Sequence, residues 1–267
     1  MTDIHIVGLG IASVAQMTRQ AEDAIRRSNE VFYLDTGVAT REYLSQICPR
    51  VTSLYDSNYR EKQRRLDDYH HMAATVVDAA LDNAPVCFAI HGHPLVAVTA
   101  PFMVLRLADL LGLSVECQPG VSAIDTVLAD LQIDPVVTGI QMYEATDLLL
   151  RERPLQSDVP ALLWQIGSLE STLHTQRKSL PARFRKFVDF LRGFYPANHP
   201  VVAVHSAPHP LMNSTKIECE LGRLAEHASE LHAGFTLYVP ATRQRAIRDV
   251  ELLNRLADPD YLDSVTQ

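Results

Sequence analysis

The N-terminal half of the chain alternates between short apolar runs and longer stretches in which hydrophobic residues recur every three or four positions. Short apolar runs predict buried strands, and the longer periodic stretches predict amphipathic helices. Strands are predicted at residues 4–7, 30–34, 51–54, 86–90 and 114–117, and helices at residues 12–27, 40–47, 59–81, 99–113 and 121–131. This alternation indicates a mainly parallel sheet.

The pattern changes after Asp134 and Pro135, where we place a domain boundary. Beyond it, strands are predicted at residues 139–143, 161–166, 201–205 and 235–239, and helices at residues 180–194 and 215–231. The prediction is an α/β protein of two α/β domains, the first with a mainly parallel sheet and the second with a mixed sheet. The first domain spans residues 1–134, the second spans 135–245, and 246–267 form a C-terminal tail.

Two of the predicted strands end in polar turns of similar character. The strand at residues 86–90 runs into the sequence HGHP, and the strand at residues 114–117 runs into QPGVSA. Because a crossover helix joins these two parallel strands, both turns lie at the carboxyl edge of the same sheet. Open α/β sheets bind their ligands at this edge, so the pattern predicts a small-molecule site there.

The composition narrows the class of protein. The 267 residues are 47% hydrophobic and give a net charge of −8, which suits a globular chain and disfavours nucleic-acid binding. No apolar run reaches the ~18 residues that a membrane span needs, and the N-terminus lacks the basic and apolar regions of a signal peptide. The four cysteines are widely spaced, which argues against a zinc ribbon and favours a reduced, cytoplasmic location.

The sequence GLG at residues 8–10 follows the first strand and is reminiscent of a dinucleotide-binding turn. The third glycine of that motif is missing, and Asp35 is the one candidate for the acidic residue at the end of the second strand. A nucleotide-phosphate role is therefore disfavoured against an ordinary tight turn.

Several histidines could together ligate a metal ion. His91 and His93 point to the same side of an extended segment, and His205 and His209 could add further ligands. No Asp or Glu accompanies them at a recognisable spacing, so no metal site is expected.

Tyr59, Arg65 and Tyr69 form a candidate group on the predicted helix at residues 59–81. Arg65 and Tyr69 are four positions apart and share a helix face, and Tyr59 lies near the helix start. One interpretation is the polar side of an amphipathic helix, which the residues alone favour. The other is a phenol whose pKa is lowered by a neighbouring guanidinium, so that it acts as a base.

Taken together, these motifs resemble the tetrapyrrole methylase superfamily of class III S-adenosylmethionine-dependent methyltransferases. The similarity lies in the first strand with its VGLG ending, in Gly92-His93-Pro94 and in the turn at residues 119–123. Two positions depart from the superfamily pattern. His93 stands where the loop usually has Asp, and residues 11–13 read IAS where the first loop usually ends in Pro-Gly-Asp.

At these departing positions the chain is similar to one branch of the superfamily, the borosin peptide α-N-methyltransferases. The similar stretches are residues 6–11, 16–18, 92–94, 119–123, 129–131, 133–135, 143–145 and 151–154. In that branch a Tyr, an Arg and a second Tyr on the long helix carry catalysis, and Tyr59, Arg65 and Tyr69 match them in spacing. The resemblance therefore favours the catalytic interpretation of these three residues over that of the polar side of an amphipathic helix. A further Tyr of the branch is replaced by His91 in this chain.

The resemblance implies S-adenosylmethionine as cofactor and a homodimer as the assembly. The cofactor-binding positions that it implies are His91, Gly92, His93, Val96, Ser122, Ala123, Gln165, Ile166, Ala207 and Thr236. An amide nitrogen is a poor nucleophile because its lone pair is delocalised into the carbonyl. We expect Tyr69 to remove the amide proton, and Tyr59 with Arg65 to stabilise the carbonyl oxygen, although the two phenols could exchange roles.

The fused members of the branch carry their substrate as an apolar C-terminal tail. Residues 246–267 are acidic here and contain no Val/Ile/Gly-rich run, so the predicted substrate is a separate precursor peptide modified in trans. The alternatives are a methyltransferase for a tetrapyrrole or another small molecule, a metal-dependent hydrolase using His91, His93 and His205, and a non-catalytic peptide-binding protein. The net charge of −8 is weakly against tetrapyrrole carboxylates.

Overall fold

The computed structural model of the chain describes residues 2–267, and its first sheet has five parallel strands. The strands are β1 (Ile4–Gly8), β2 (Glu30–Leu34), β3 (Val51–Ser53), β4 (Val86–Ile90) and β5 (Val115–Gln118). Their order across the sheet is β3-β2-β4-β1-β5, and every neighbouring pair runs parallel. The prediction of a mainly parallel N-terminal sheet is confirmed.

Helices cover both faces of this sheet. They are α1 (Arg19–Arg27), α2 (Val38–Ile47), α3 (Leu54–Asn58), α4 (Arg65–Asn83), α5 (Ala100–Leu111) and α6 (Ala123–Leu131), with a 3₁₀ turn at Ser13–Gln16. Side chains alternate along a strand, so β4 feeds two cores. Phe88 and Ile90 pack with α4 and α5, whereas Cys87 and Ala89 pack with α1 and α2.

The second sheet is mixed, as predicted. It contains β6 (Gln141–Glu144), β7 (Ala161–Trp164), β8 (Pro200–His205), β9 (Thr215–Glu220) and β10 (Thr236–Val239) in the order β6-β7-β10-β8-β9. Only the β6–β7 pair is parallel among these strands. One face packs on the helical segments of this half of the chain, and the other packs on α6 through Val127, Trp164 and Val204.

The helical segments of the second half are short. They comprise α7 (Pro135–Thr138), α8 (Ala145–Leu150), α9 (Arg185–Leu191), α10 (Val250–Arg255) and α11 (Pro259–Val265), with 3₁₀ turns at Ile166–Ser168, Pro181–Phe184 and Leu221–His227. Among residues 2–267, no helix combines the length and the apolar character needed to cross a membrane. The domain limits at residues 134 and 245 stay predictions.

The predicted helix at residues 215–231 is wrong. Residues 215–220 form the edge strand β9, paired with β8 along its whole length, and a 3₁₀ turn follows. The sequence TKIECE alternates polar and apolar residues, which is the period of a strand. Ile217 and Cys219 accordingly pack against the core while Lys216 and Glu218 are exposed.

The two long helices predicted at residues 12–27 and 59–81 are each broken. The side chain of Thr18 accepts a hydrogen bond from the Ala21 amide at 3.1 Å, so α1 begins only after this cap. In the second case α3 ends at Asn58 and α4 begins at Arg65. Tyr59 is therefore the cap residue after α3 and does not lie on the long helix, whereas Arg65 and Tyr69 do.

Candidate functional site

A cleft of about 970 Å³ opens where the carboxyl edge of the first sheet faces the second half of the chain. One wall comes from the ends of β2 and β4, with Leu34, Asp35 and His91. The opposite wall comes from the segment after β7, including Gln165, and from residues 229–233 before β10. The cleft thus includes His91 from the first polar turn, whereas residues 118–123 of the second turn do not line it.

The backbones of three glycines pack closely together at this edge of the sheet. A side-chain carbon added at Gly8 would lie 2.5 Å from the Gly92 carbonyl oxygen and 2.6 Å from the Gly120 Cα atom. Glycine is therefore required for β1 to approach the turns after β4 and β5 this closely. The approach brings together the two turns that the sequence picks out.

Two residues with left-handed backbone conformation join the walls. Ala97 has φ +55° and Gln165 has φ +59°, which is unusual for residues with a side chain. The side-chain amide of Gln165 donates a hydrogen bond to the Ala97 carbonyl at 3.3 Å. Such strained positions persist where the surrounding structure holds them, and they concentrate at functional sites.

Of the predicted cofactor residues, two line the cleft. His91 and Gln165 contribute side chains to its walls. Among the described residues, the other eight do not line it: Gly92, His93, Val96, Ser122, Ala123, Ile166, Ala207 and Thr236. Ser122, for example, is buried and caps α6 together with Asp125. Cofactor binding by this set stays a prediction.

The three predicted catalytic residues meet at one end of the cleft. Tyr59 stacks on Tyr55, with ring centres 4.3 Å apart, and its other neighbour is the His174 ring, also at 4.3 Å. Arg65 and Tyr69 line the same end, and the Arg65 guanidinium donates to the Ser171 carbonyl. The sequence therefore groups these residues correctly, even though Tyr59 lies outside the long helix.

A segment from the second half of the chain holds this end in place. We call residues 171–176 the strap. The strap pairs with residues 62–65 through hydrogen bonds from the Lys62 amide to the His174 carbonyl at 2.8 Å, from the His174 amide to the Gln63 carbonyl at 2.9 Å, and from the Arg65 amide to the Thr172 carbonyl at 2.9 Å. The catalytic end of the cleft is thus built from both halves of the chain.

A buried acid–histidine pair lies beneath Tyr59. Asp68 is 1% exposed, and its Oδ2 atom lies 2.8 Å from His174 Nε2. The side-chain amide of Gln63 donates a hydrogen bond to the other carboxylate oxygen of Asp68. Burial lowers the pKa of His174, and the attraction of Asp68 only partly opposes this. A buried carboxylate needs such partners, so the pair fixes the strap against α4.

The unfolding free energy is expected to fall as the pH drops below about 6.5. Burial lowers the pKa values of His5, His174 and His205 in the folded state, so the unfolded chain binds these protons more readily. Each such group can remove up to about 1.4 kcal/mol per pH unit. Urea unfolding at pH 7.5 and 5.5 checks this, and His174→Gln should reduce the difference. An equal unfolding free energy at both pH values would contradict it.

Burial raises the pKa of both phenols. For Tyr59 the charges of Tyr69, Tyr55 and Asp68 add to this effect, and Arg65 opposes it. For Tyr69 burial again dominates over the lowering by Arg65. The interpretation of a phenol with a lowered pKa is therefore wrong for the free protein. Neutral phenols are hydrogen-bond donors, which suits them to hold an oxygen that gains negative charge.

A second acid–histidine pair was missed by the sequence reasoning. Asp35 Oδ1 lies 3.3 Å from His91 Nδ1, and the Asp35 side chain is only 6% exposed. Burial by itself disfavours the charged carboxylate, but hydrogen bonds from His91 and Thr40 outweigh it and lower the pKa of Asp35. The signal available in the sequence was an Asp directly after the second strand.

The alternative of a metal-dependent hydrolase lacks a ligand set. Within residues 2–267, no three His, Cys, Asp or Glu side chains come together as metal ligands. His93 accepts a hydrogen bond from the Leu95 amide, and His205 packs against the His232 ring at 4.6 Å. These two contacts support a turn and side-chain packing.

The rim of the cleft is more basic than the whole chain. Its lining includes Arg60, Arg177, Lys178 and Arg183, against a net charge of −8 for the protein. Part of this charge is compensated, because Arg177 lies 3.5 Å from Glu61. The remaining positive field favours an acidic group on a ligand that enters here.

Sequence comparisons find relatives along nearly the whole chain. The model of the family Tetrapyrrole (Corrin/Porphyrin) Methylases matches residues 3–224. The methyltransferase and ribosomally synthesized cyclic peptide precursor of the gymnopeptides from Gymnopus fusipes is 31% identical over 264 residues, which are 96% of this chain and 63% of that protein. The corresponding omphalotin A precursor of Omphalotus olearius is 33% identical, also with 96% and 63% coverage. The chain thus spans about 63% of the length of these relatives.

Solved structures share the fold at low identity. The methyltransferase CobJ has a TM-score of 0.63 at 17% identity, covering 93% of this chain and 98% of that chain. A uroporphyrin-III C-methyltransferase from Thermus thermophilus, complexed with S-adenyl homocysteine, has a TM-score of 0.60 at 16% identity, covering 89% and 91%. These similarities establish the two-sheet architecture.

Proposed function

Because the chain belongs to the Tetrapyrrole (Corrin/Porphyrin) Methylases family, we propose that it is an S-adenosylmethionine-dependent methyltransferase acting on backbone amide nitrogens of a ribosomally made peptide. The observation that carries this proposal is the meeting of Tyr59, Arg65 and Tyr69 at one end of the cleft. The relatives that match 96% of the chain are named as methyltransferases joined to peptide precursors, which supports the peptide as acceptor.

The walls of the cleft fit the proposed cofactor. Leu34, Ile90 and Val98 provide an apolar surface, while Gln165 and Ser168 provide polar groups for a ribose or an amino acid moiety. When bound, S-adenosylmethionine supplies a methyl group on a positively charged sulfur. The residues proposed to hold it are Gln165 in the lining and the eight further positions that the family resemblance implies and that do not line the cleft.

The Tyr–Arg end of the cleft is proposed to hold the carbonyl of the reacting amide. Removing the N–H proton shifts negative charge onto the carbonyl oxygen, and donors aimed at that oxygen lower the barrier. Tyr59 and Tyr69 are half-buried phenols with raised pKa, so they remain neutral donors beside the Arg65 cation. This assigns Tyr69 to oxygen stabilisation, in place of the proton removal that we expect from the sequence.

The proposal includes a separate precursor peptide, a homodimer and a cytoplasmic location. The acidic character of residues 246–267 supports a peptide that is not part of this segment. Exposed apolar side chains on the last two helices, such as Leu253 and Leu262, would be covered by a second copy of the chain. All four cysteines are free thiols, as a reducing compartment requires.

The direct test supplies the protein with labelled S-adenosylmethionine and a candidate precursor peptide that has an apolar core segment. We expect label on backbone nitrogens, located by tandem mass spectrometry. The matched control is the same peptide with proline at the labelled positions, since proline has no N–H to replace. Label on side chains only, or on the proline peptide to the same extent, would overturn the peptide assignment.

A second candidate function is methylation of an acidic small molecule such as a porphyrinoid carboxylate. The observation that favours it is the basic rim with Arg60, Lys178 and Arg183. This local positive charge would attract carboxylates, even though the net charge of −8 disfavours them. The same labelled cofactor with uroporphyrinogen as acceptor tests this candidate. Transfer to the porphyrinoid with none to the peptide would select it.

A further inference from the structure

We propose that His91, held by Asp35, is the base that takes the proton from the acceptor nitrogen. This inference rests on the proposed function and names a residue for its hardest step. His91 lines the cleft, and its side chain is 43% exposed although its partner carboxylate is buried. One side of the imidazole thus faces a fixed anion, and its other side is open to a ligand.

The carboxylate of Asp35 is fixed by the surrounding fold. Its Oδ2 atom accepts a hydrogen bond from the Thr40 hydroxyl at 2.6 Å, and its Oδ1 atom accepts one from the Thr36 amide at 2.8 Å. The Thr40 hydroxyl also lies 2.5 Å from that of the buried Ser13. This chain of contacts holds an ionised acid at the end of β2, directly beside the turn after β4.

The position of this anion sets the tautomer of His91. Nδ1 lies 3.3 Å from the carboxylate, so within the neutral ring the tautomer with its proton on Nδ1 and its lone pair on Nε2 is favoured. A histidine oriented in this way by a buried carboxylate accepts a proton at Nε2, and the carboxylate stabilises the cation that forms. The arrangement needs no change in the fold to act as a base.

The other histidines of the cleft are directed elsewhere. His174 Nε2 is turned to the buried Asp68, and His232 accepts a hydrogen bond from the Gly234 amide. The charged and titratable groups that act on His91 are Asp35 from β2 and His205 from the end of β8, whose own pKa is lowered first by burial. Within the described residues His91 is therefore the imidazole best placed to serve the ligand.

The reaction balances with these groups. The N–H electron pair of the acceptor becomes the lone pair that forms the new N–CH₃ bond, and the N–H proton passes to His91 Nε2. The pair of the breaking S–CH₃ bond stays on sulfur, which leaves as neutral S-adenosylhomocysteine. Asp35 stabilises the imidazolium until its proton is lost to water, while the phenols and Arg65 hold the carbonyl oxygen.

The test compares His91→Asn, Asp35→Asn and the control His71→Asn on the exposed side of α4. Asn at position 91 keeps a donor near the Nδ1 position and removes Nε2, so the contact with Asp35 survives. We expect a loss in kcat of about 100- to 1,000-fold, disappearance of the acid limb of the kcat–pH profile, and a cofactor dissociation constant within about threefold. His71→Asn should behave as the unchanged protein.

A second readout does not depend on turnover. In ¹⁵N-histidine-labelled protein, the His91 ring, assigned by its absence in His91→Asn, should be protonated at Nδ1, and Asp35→Asn should mix the two tautomers. An unchanged kcat in His91→Asn, or a proton on Nε2, would overturn the base. Loss of cofactor binding in His91→Asn would instead make it a binding residue. If the unchanged protein shows the Nδ1 tautomer but methylates no peptide, the proposed function fails.

Discussion

Arg65→Lys is expected to lower kcat by about 100-fold or more while the protein stays folded. Lysine keeps the charge but loses the planar fork, which is the feature that lets one side chain donate in two directions. In this structure the guanidinium donates to the Ser171 carbonyl of the strap and lies in the same end of the cleft as Tyr59 and Tyr69. A point charge cannot fix the strap and serve a carbonyl oxygen together, and a 100-fold loss corresponds to about 2.7 kcal/mol.

The matched control for this change is Arg64→Lys. Arg64 is the preceding residue, is exposed, and contributes its backbone to the pairing with Leu173. The same substitution there should leave kcat within about twofold. Single-turnover kinetics with saturating cofactor separate the chemical step from binding. Equal kcat values for Arg65→Lys and the unchanged protein would remove Arg65 from the oxygen-binding role.

The central strands of the first sheet could be predicted because they are mostly apolar, as in β1, β2 and β4. In β4, Phe88 and Ile90 enter one core and Cys87 enters the other, so both faces need hydrophobic residues. Strand β9 is an edge strand with one exposed face, and its six residues precede a second polar–apolar stretch. The helical interpretation of that longer stretch included the strand, although the polar–apolar alternation of residues 215–220 is the period of a strand and the pairing with β8 confirms it.

In the candidate site, too, some features follow from the sequence and others do not. Arg65 and Tyr69 lie four positions apart on one helix, so their proximity follows from helix geometry. The pairs Asp35–His91 and Asp68–His174 join residues far apart in the sequence, and no local pattern brings them together. The direction of the pKa shift of both phenols was not predicted, because burial raises the pKa more than the neighbouring guanidinium lowers it.

Gly8→Ala is expected to destabilise the protein by about 3 kcal/mol and to abolish cofactor binding. The added carbon would lie 2.5 Å from the Gly92 oxygen and 2.6 Å from the Gly120 Cα atom, well inside normal contact. Backbone atoms on both sides cannot rotate away as a side chain does, so the turns after β4 and β5 must separate. His91 is adjacent to one of these turns, so its distance to Asp35 must change as well.

The control for this prediction is Gly112→Ala, at the end of α5. Gly112 has φ +71°, and a carbon added there meets no atom within 4 Å. The substitution therefore tests backbone strain without crowding, for which about 1 kcal/mol is expected. Thermal unfolding and calorimetric titration with S-adenosylmethionine measure both effects. If Gly8→Ala is no more destabilising than Gly112→Ala and still binds cofactor normally, the close approach of the three glycines is not needed for stability or for cofactor binding.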